Sequence, residues 1–300
     1  MPYLMRWKSS SPRRKAGVGP RDDNSMPLSL ISIPTDTHAL DGLWYEPDAR
    51  PRGAAMLLHG NCMNFYTGAP RFLPPHLVKL GLAALAYNRR GHDMIATLNS
   101  RAVSGGAFQM TKEAVADNRY AAGWLKERGF APPVVIGHSN GGMLAVQHVA
   151  DHPETPALVL LSAHLGGKSV VPLASKVGLL GGDRIDEIDA HARAMVAQGR
   201  GGELMVLPGW WHVITAQSYL DYCTELPDVL ALSSRITCPV LYIRGDKEPA
   251  HIYPAEEFAA RAGGRCDVRI VKDCDHFYGG REDTVAGIMT EWLNEVLTQT

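Results

Sequence analysis

Residues 134–142 read Val-Val-Ile-Gly-His-Ser-Asn-Gly-Gly, and this stretch decides the fold. Its first three residues are β-branched and apolar, the composition of a buried strand. Residues 141–150 are apolar nearly all round, as in a central buried helix. Between the two stands G-x-S-x-G, formed by Gly137, His138, Ser139, Asn140 and Gly141. The pentapeptide alone is a weak signal, arising by chance in roughly one chain in seven of this length. Its context makes it strong. A turn sharp enough to join strand directly to helix holds its serine in strained backbone, and flanking glycines remove the bulk that would keep the two elements apart.

Outward from this point, apolar runs of strand length recur: AAMLL from Ala54, LAALAY from Leu82, ALVLL from Ala157, VLYI from Val240 and VRIV from Val268. Such runs suit strands covered on both faces. Residues 28–33 and 43–45 read as a short antiparallel pair at a sheet edge, with a turn at residues 34–37. Helical segments lie between most of the runs. Residues 113–128 end at Gly129, a fitting helix stop, and Val285, Ile288, Met289, Trp292, Leu293 and Val296 form one apolar stripe at helical spacing. Alternating strands and helices predict an α/β fold with a mostly parallel central sheet flanked by helices. The alternation breaks over residues 164–235, where no good strand is seen. Ile185, Ile188, Ala192 and Met195 have helical period there, followed by the aromatic-rich residues 208–223. This region reads as an inserted, mostly helical cap.

The chain has 300 residues, 45% hydrophobic and 20% charged, enough for one large core with an insertion. A formal net charge of -1 supplies no field to hold nucleic acid or an acidic membrane surface. No run reaches the roughly 18 apolar residues of a membrane span. Five cysteines (Cys62, Cys223, Cys238, Cys266, Cys274), odd in number and without a C-x-x-C pair, argue against a disulfide framework or a zinc site. A reducing compartment, the cytoplasm, fits best. Residues 1–25 are basic but lack the apolar core of a secretory signal and read as a disordered tail, with an organelle-targeting peptide as the weaker alternative.

Two further segments add to the serine turn. Leu58-His59-Gly60-Asn61 and Asn88-Arg89-Arg90-Gly91-His92-Asp93 match, respectively, the turn after the third strand and the common R-G-H-G loop of the α/β-hydrolase superfamily. With Gly137 to Gly141 matching its nucleophile elbow, the chain resembles that superfamily over nearly all of residues 26–300. The resemblance implies a core made of residues 26–163 and 236–300, with residues 164–235 as the cap. It also implies a catalytic triad in the order Ser, acid, His, the acid after the seventh strand and the histidine after the eighth. Parts of the cap, residues 195–204 and 214–216, are similar to a fungal hydrolase group that includes siderophore esterases, a short likeness from which no substrate is carried over.

Ser139 is the expected nucleophile. His276 follows the last apolar strand and is the expected base, since a neutral imidazole can take the proton that a serine hydroxyl must lose. Of the other histidines, His138 is expected to point away from Ser139, His59 and His92 to brace loops, and His164, His212 and His251 are outside candidates. Two carboxylates, Asp246 and Glu248, follow the strand that ends near Arg244. The family register, three residues after Gly245 and just before Pro249, favours Glu248 as the acid, with Asp246 as the alternative acid or else the residue that holds the loop. Backbone N–H groups of Asn140 and of Asn61 or Cys62 are the expected oxyanion donors. Asn64, Trp210, Trp211, Tyr219 and Tyr222 are expected to contact a small-molecule substrate. No cofactor and no metal are implied, and the composition leaves a homodimer open.

Ester hydrolysis through an acyl-enzyme is the leading reading. A lactonase, thioesterase, carbon-carbon hydrolase or acyltransferase would use the same triad, and a receptor on this fold would keep the pocket with little turnover. Dehalogenases and epoxide hydrolases usually carry a carboxylate where this chain has Ser139.

Overall fold

The apolar runs pair into one eight-stranded sheet in the computed structural model, which describes residues 27–98, 101–178, 181–207 and 212–298. The strands are β1 (Leu28–Ile33), β2 (Leu40–Tyr45), β3 (Gly53–Leu58) and β4 (Leu82–Tyr87). A small ribbon of β5 (Ala96–Thr97) and β6 (Val103–Ser104) precedes β7 (Val134–His138) and β8 (Leu158–Leu161). A second ribbon, β9 (Leu204–Leu207) with β10 (His212–Thr215), precedes β11 (Val240–Gly245) and β12 (Cys266–Val271). The large sheet has the order β1-β2-β4-β3-β7-β8-β11-β12. β2 is antiparallel to both its neighbours, and every pairing from β4 across to β12 is parallel.

Parallel strands need helical crossovers, among them α1 (Ala69–Phe72) and α2 (Pro74–Lys79) between β3 and β4 and α9 (Ala255–Arg261) between β11 and β12, and helices cover both faces, which is why β4, β8 and β11 are buried along their whole length. The period of two shows in β3. Met56 and Leu58 pack on one face with Trp124 of α3 (Thr111–Glu127) and Leu144 of α4 (Asn140–Asp151). Ala55 and Leu57 pack on the other with Leu293 of α10 (Glu282–Thr298). Each such fully buried large side chain contributes about 1.5–3 kcal/mol. The edge strand β1 is mostly exposed.

Residues 164–235, read from the sequence as mostly helical and without a good strand, also contain strands. They hold α5 (Val170–Lys176), α6 (Ile185–Ala197), α7 (Ala216–Thr224) and α8 (Val229–Leu232), but also the β9–β10 hairpin. In β9 the residues alternate exposed and buried, with Met205 and Leu207 inside, a strand period too short to stand out in the sequence. Among the described residues no helix is long and apolar enough to cross a membrane.

Candidate active site

Ser139 sits where β7 ends and α4 begins, at the carboxyl end of the parallel sheet, where open α/β sheets place ligands. Its backbone has φ 57 and ψ -121, a strained conformation for a residue with a side chain. The turn is held because Ser139 N–H donates to the Leu161 carbonyl at 2.9 Å and the Ser139 carbonyl accepts from Gly142 N–H at 2.9 Å. Two glycines make room for it. A Cβ on Gly137 would overlap the Gly141 carbonyl, and one on Gly141 would overlap the carbonyls of Leu58 and His59.

The structure brings Ser139, His276 and Glu248 together. His276, in the loop after β12, has Nε2 3.0 Å from Ser139 Oγ and Nδ1 2.7 Å from Glu248 Oε1. An ionised carboxylate only accepts, so Nδ1 carries the proton and Nε2 is left to accept from the serine hydroxyl. The other oxygen of Glu248, Oε2, accepts from Gly245 N–H at 2.7 Å and from the Ser162 hydroxyl at 2.6 Å. Ser162 has no second proton to give, so the contact of 2.6 Å to Tyr278 is one in which the tyrosine donates. Asp246 is placed otherwise. Its Oδ1 accepts from Cys274 N–H at 3.1 Å, and backbone hydrogen bonds from this loop hold its carboxyl below the usual carboxylate range. It ties the loop after β11 to the loop that carries His276.

His138, expected to point away from Ser139, packs against His276. Its Nε2–H donates to the His276 carbonyl at 2.8 Å, and its ring centroid is 4.9 Å from that of His276. Burial, with His276 nearby, pushes its pKa down to about 3, so it is a neutral prop for the loop. His59 braces the opposite side, with Nδ1–H donating to the Gly60 carbonyl at 2.8 Å and Nε2 accepting from Arg89 N–H at 3.1 Å.

Asn140 is the first residue of α4, where a backbone N–H has no carbonyl four residues back to bond. Asn61 lines the same cavity as Ser139. Cys62 and Asn64 do not line it. The Cys62 thiol lies against Gly106, with its pKa pushed up to about 12, chiefly by burial. Asn64 is spent on joining the loop after β3 to the loop after β4, donating to Asp93 Oδ1 at 2.7 Å and accepting from Tyr66 N–H at 3.2 Å, which corrects its expected role in substrate contact. Of the cap aromatics, Tyr222 lines both the cavity with Ser139 and a separate, smaller one, whereas Tyr219 lines the smaller one. Trp210 and Trp211 lie outside the described residues.

The cavity over Ser139 measures about 620 Å³, with walls from Met63, Val170, Val177, Ile252, Tyr253 and Phe277. Two positions were not singled out for this site from the sequence. Ser162 steadies Glu248. Arg89, fully buried, donates from Nη2 to the His59 carbonyl at 2.8 Å and to Asn140 Oδ1 at 3.3 Å, joining the two loops that flank Ser139. His164, an outside candidate on sequence grounds, lines the cavity itself. Among the described residues no group of three or more His, Cys, Asp or Glu is arranged to hold a metal ion.

Comparison with known proteins agrees with the architecture. Residues 55–288 match the alpha/beta hydrolase family. A monoacylglycerol lipase of Mycolicibacterium smegmatis is 28% identical over 218 residues, spanning 68% of this chain and 73% of that protein. Est1E of Butyrivibrio proteoclasticus with bound ferulic acid has a TM-score of 0.70 at 18% identity, over 89% of this chain and 99% of the other. A carboxyl esterase of Bacillus coagulans in complex with glycerol has a TM-score of 0.67 at 14% identity, over 91% and 99%. At such identities the solved structures speak for the fold, while the family match spans most of the sequence from β3 to α10. The chain belongs to the alpha/beta hydrolase family.

Proposed function

We propose that this protein hydrolyses carboxylic esters through an acyl-enzyme on Ser139. The observation that carries the reading is the unbroken chain Ser139 Oγ, His276, Glu248, at 3.0 and 2.7 Å, opening into a largely apolar cavity. The names of relatives support it, a monoacylglycerol lipase and a carboxyl esterase among them.

In this mechanism Ser139 Oγ attacks the ester carbonyl carbon as its proton passes to His276 Nε2, and Glu248 stabilises the resulting imidazolium without taking a proton from it. Backbone N–H groups of Asn140 and Asn61 receive the oxyanion. The C–O bond to the alcohol then breaks, and His276 returns its proton to the departing alkoxide. Water, deprotonated by the same nitrogen, attacks the acyl-enzyme and releases the acid. No cofactor enters the cycle. The apolar walls suit an acyl or alcohol group of small to medium size.

The test is a panel of p-nitrophenyl esters of rising acyl length beside lactones and thioesters, run on wild type and Ser139→Ala. Turnover of the oxygen esters that vanishes in Ser139→Ala supports the reading. A preference of tenfold or more for lactones or thioesters would move the assignment to those bonds.

A further inference from the structure

His164 follows β8 where the chain leaves the sheet for residues 164–235, and it is only 7% exposed. Its ring is oriented by a local bond: Gly166 N–H donates to Nδ1 at 3.1 Å. That nitrogen is therefore the acceptor, and the ring proton of the neutral imidazole sits on Nε2. Burial, together with the neighbouring His276, lowers the pKa of His164 to about 4, so the ring is neutral at pH 7. Nε2 is fully buried and, among the described residues, has no hydrogen-bond partner. Yet His164 lines the same cavity as Ser139 and His276, among Val170, Ala174, Ile252 and Tyr253. This wall residue thus carries an N–H donor whose acceptor the described residues do not supply, and buried donors in native proteins are nearly always satisfied.

We propose that His164 Nε2–H is a specificity-determining donor that binds an uncharged acceptor oxygen of the substrate other than the scissile carbonyl. The ring carries no charge to offset that of a desolvated carboxylate, so an ether, hydroxyl or keto oxygen is the fitting partner. The inference rests on the esterase reading and sharpens it: the preferred substrates are esters oxygenated in the acyl or the alcohol part, not plain alkyl esters.

The experiment compares matched pairs. In the acyl arm, p-nitrophenyl hexanoate is set against its 3-, 4- and 5-oxa analogues, each rate divided by its hydroxide-catalysed rate. In the alcohol arm, glycerol monohexanoate is set against propyl hexanoate. Wild type is measured beside His164→Phe, which loses the donor and the loop bond, and His164→Asn, whose carbonyl keeps the bond to Gly166 N–H but whose amide is too short to replace Nε2. His164→Gln restores a donor near Nε2. The readout is the ratio of kcat/KM between oxygenated and plain members of a pair, since a merely structural role would lower both alike. The expected result is a wild-type ratio of about tenfold or more in one arm, lost in His164→Phe and His164→Asn and partly kept in His164→Gln. A ratio near one in wild type, or a ratio unchanged by the substitutions, overturns the inference while leaving the esterase reading intact. Absence of any Ser139-dependent turnover would overturn both.

Discussion

Replacing Glu248 by Gln changes one oxygen to an amide, and the surrounding hydrogen bonds dictate how the side chain must settle. Oε2 serves two donors, Gly245 N–H at 2.7 Å and the Ser162 hydroxyl at 2.6 Å, while Oε1 serves only His276 Nδ1 at 2.7 Å. The glutamine oxygen therefore takes the Oε2 position, because the opposite orientation would set its NH2 against two donors. That leaves the NH2 facing His276 Nδ1, which must give up its proton and accept. The ring proton moves to Nε2 and points at Ser139 Oγ, 3.0 Å away. The serine then has no acceptor for its proton. A misplaced tautomer of this kind costs about 10⁴-fold in kcat, or about 5 kcal/mol. Stability should fall by less than about 2 kcal/mol, since two of the three hydrogen bonds survive. Asp246→Asn is the control: its carbonyl still accepts from Cys274 N–H, and acylation should stay within about tenfold of wild type. The assay is single-turnover acylation by a p-nitrophenyl ester, with folding checked by circular dichroism. If Glu248→Gln acylates near the wild-type rate while Asp246→Asn does not, the acid has been wrongly assigned.

Ser162→Ala removes the hydroxyl that steadies Glu248 at 2.6 Å and should lower kcat by roughly tenfold to a hundredfold; an unchanged kcat would show that the acid needs no such support. Gly141→Ala places a Cβ against the carbonyls of Leu58 and His59 and should sharply reduce the yield of active protein, whereas Gly123→Ala in α3, with nothing within 4 Å of the new atom, should raise stability by about 0.5–1 kcal/mol. Thermal melts of the two variants check the contrast. His138, His148 and His164 are buried with pKa values pushed down to about 3, 4 and 4, so between those values and about 6.5 the unfolded chain binds protons that the folded chain does not. Their contribution to stability is present above about pH 6.5 and is lost as pH falls, by about 2 kcal/mol per group from pH 7 to 5. Urea midpoints that do not fall over this range would contradict that burial.

The parts of the fold that were readable in the sequence are those whose signal is local. β4 and β8 are runs of apolar residues because both faces are covered, and the stripe of α10 has helical period because one face is. The serine turn was readable because a strained residue at φ 57 needs glycine on both sides, and His276 because it stands in the loop after the last strand. What escaped depends on distant partners. The β9–β10 hairpin consists of four-residue strands whose pairing with each other no single segment advertises. Asn64 pairs with Asp93, 29 residues away, and Ser162 meets Glu248 86 residues on, so neither role is visible in its own neighbourhood. Tyr219 and Tyr222 both line the smaller cavity, and their different positions around α7 bring Tyr222 to the Ser139 cavity as well.

Ser139 as the activated nucleophile is open to direct measurement. A fluorophosphonate probe reacts with a serine only when a base stands ready to take its proton, and mass spectrometry of the labelled peptides identifies the residue. The expected result is a single adduct on Ser139, and in Ser139→Ala no adduct and no ester turnover, with the fold retained. An adduct on another residue, or a Ser139→Ala variant that still hydrolyses esters at the wild-type rate, would contradict the assignment.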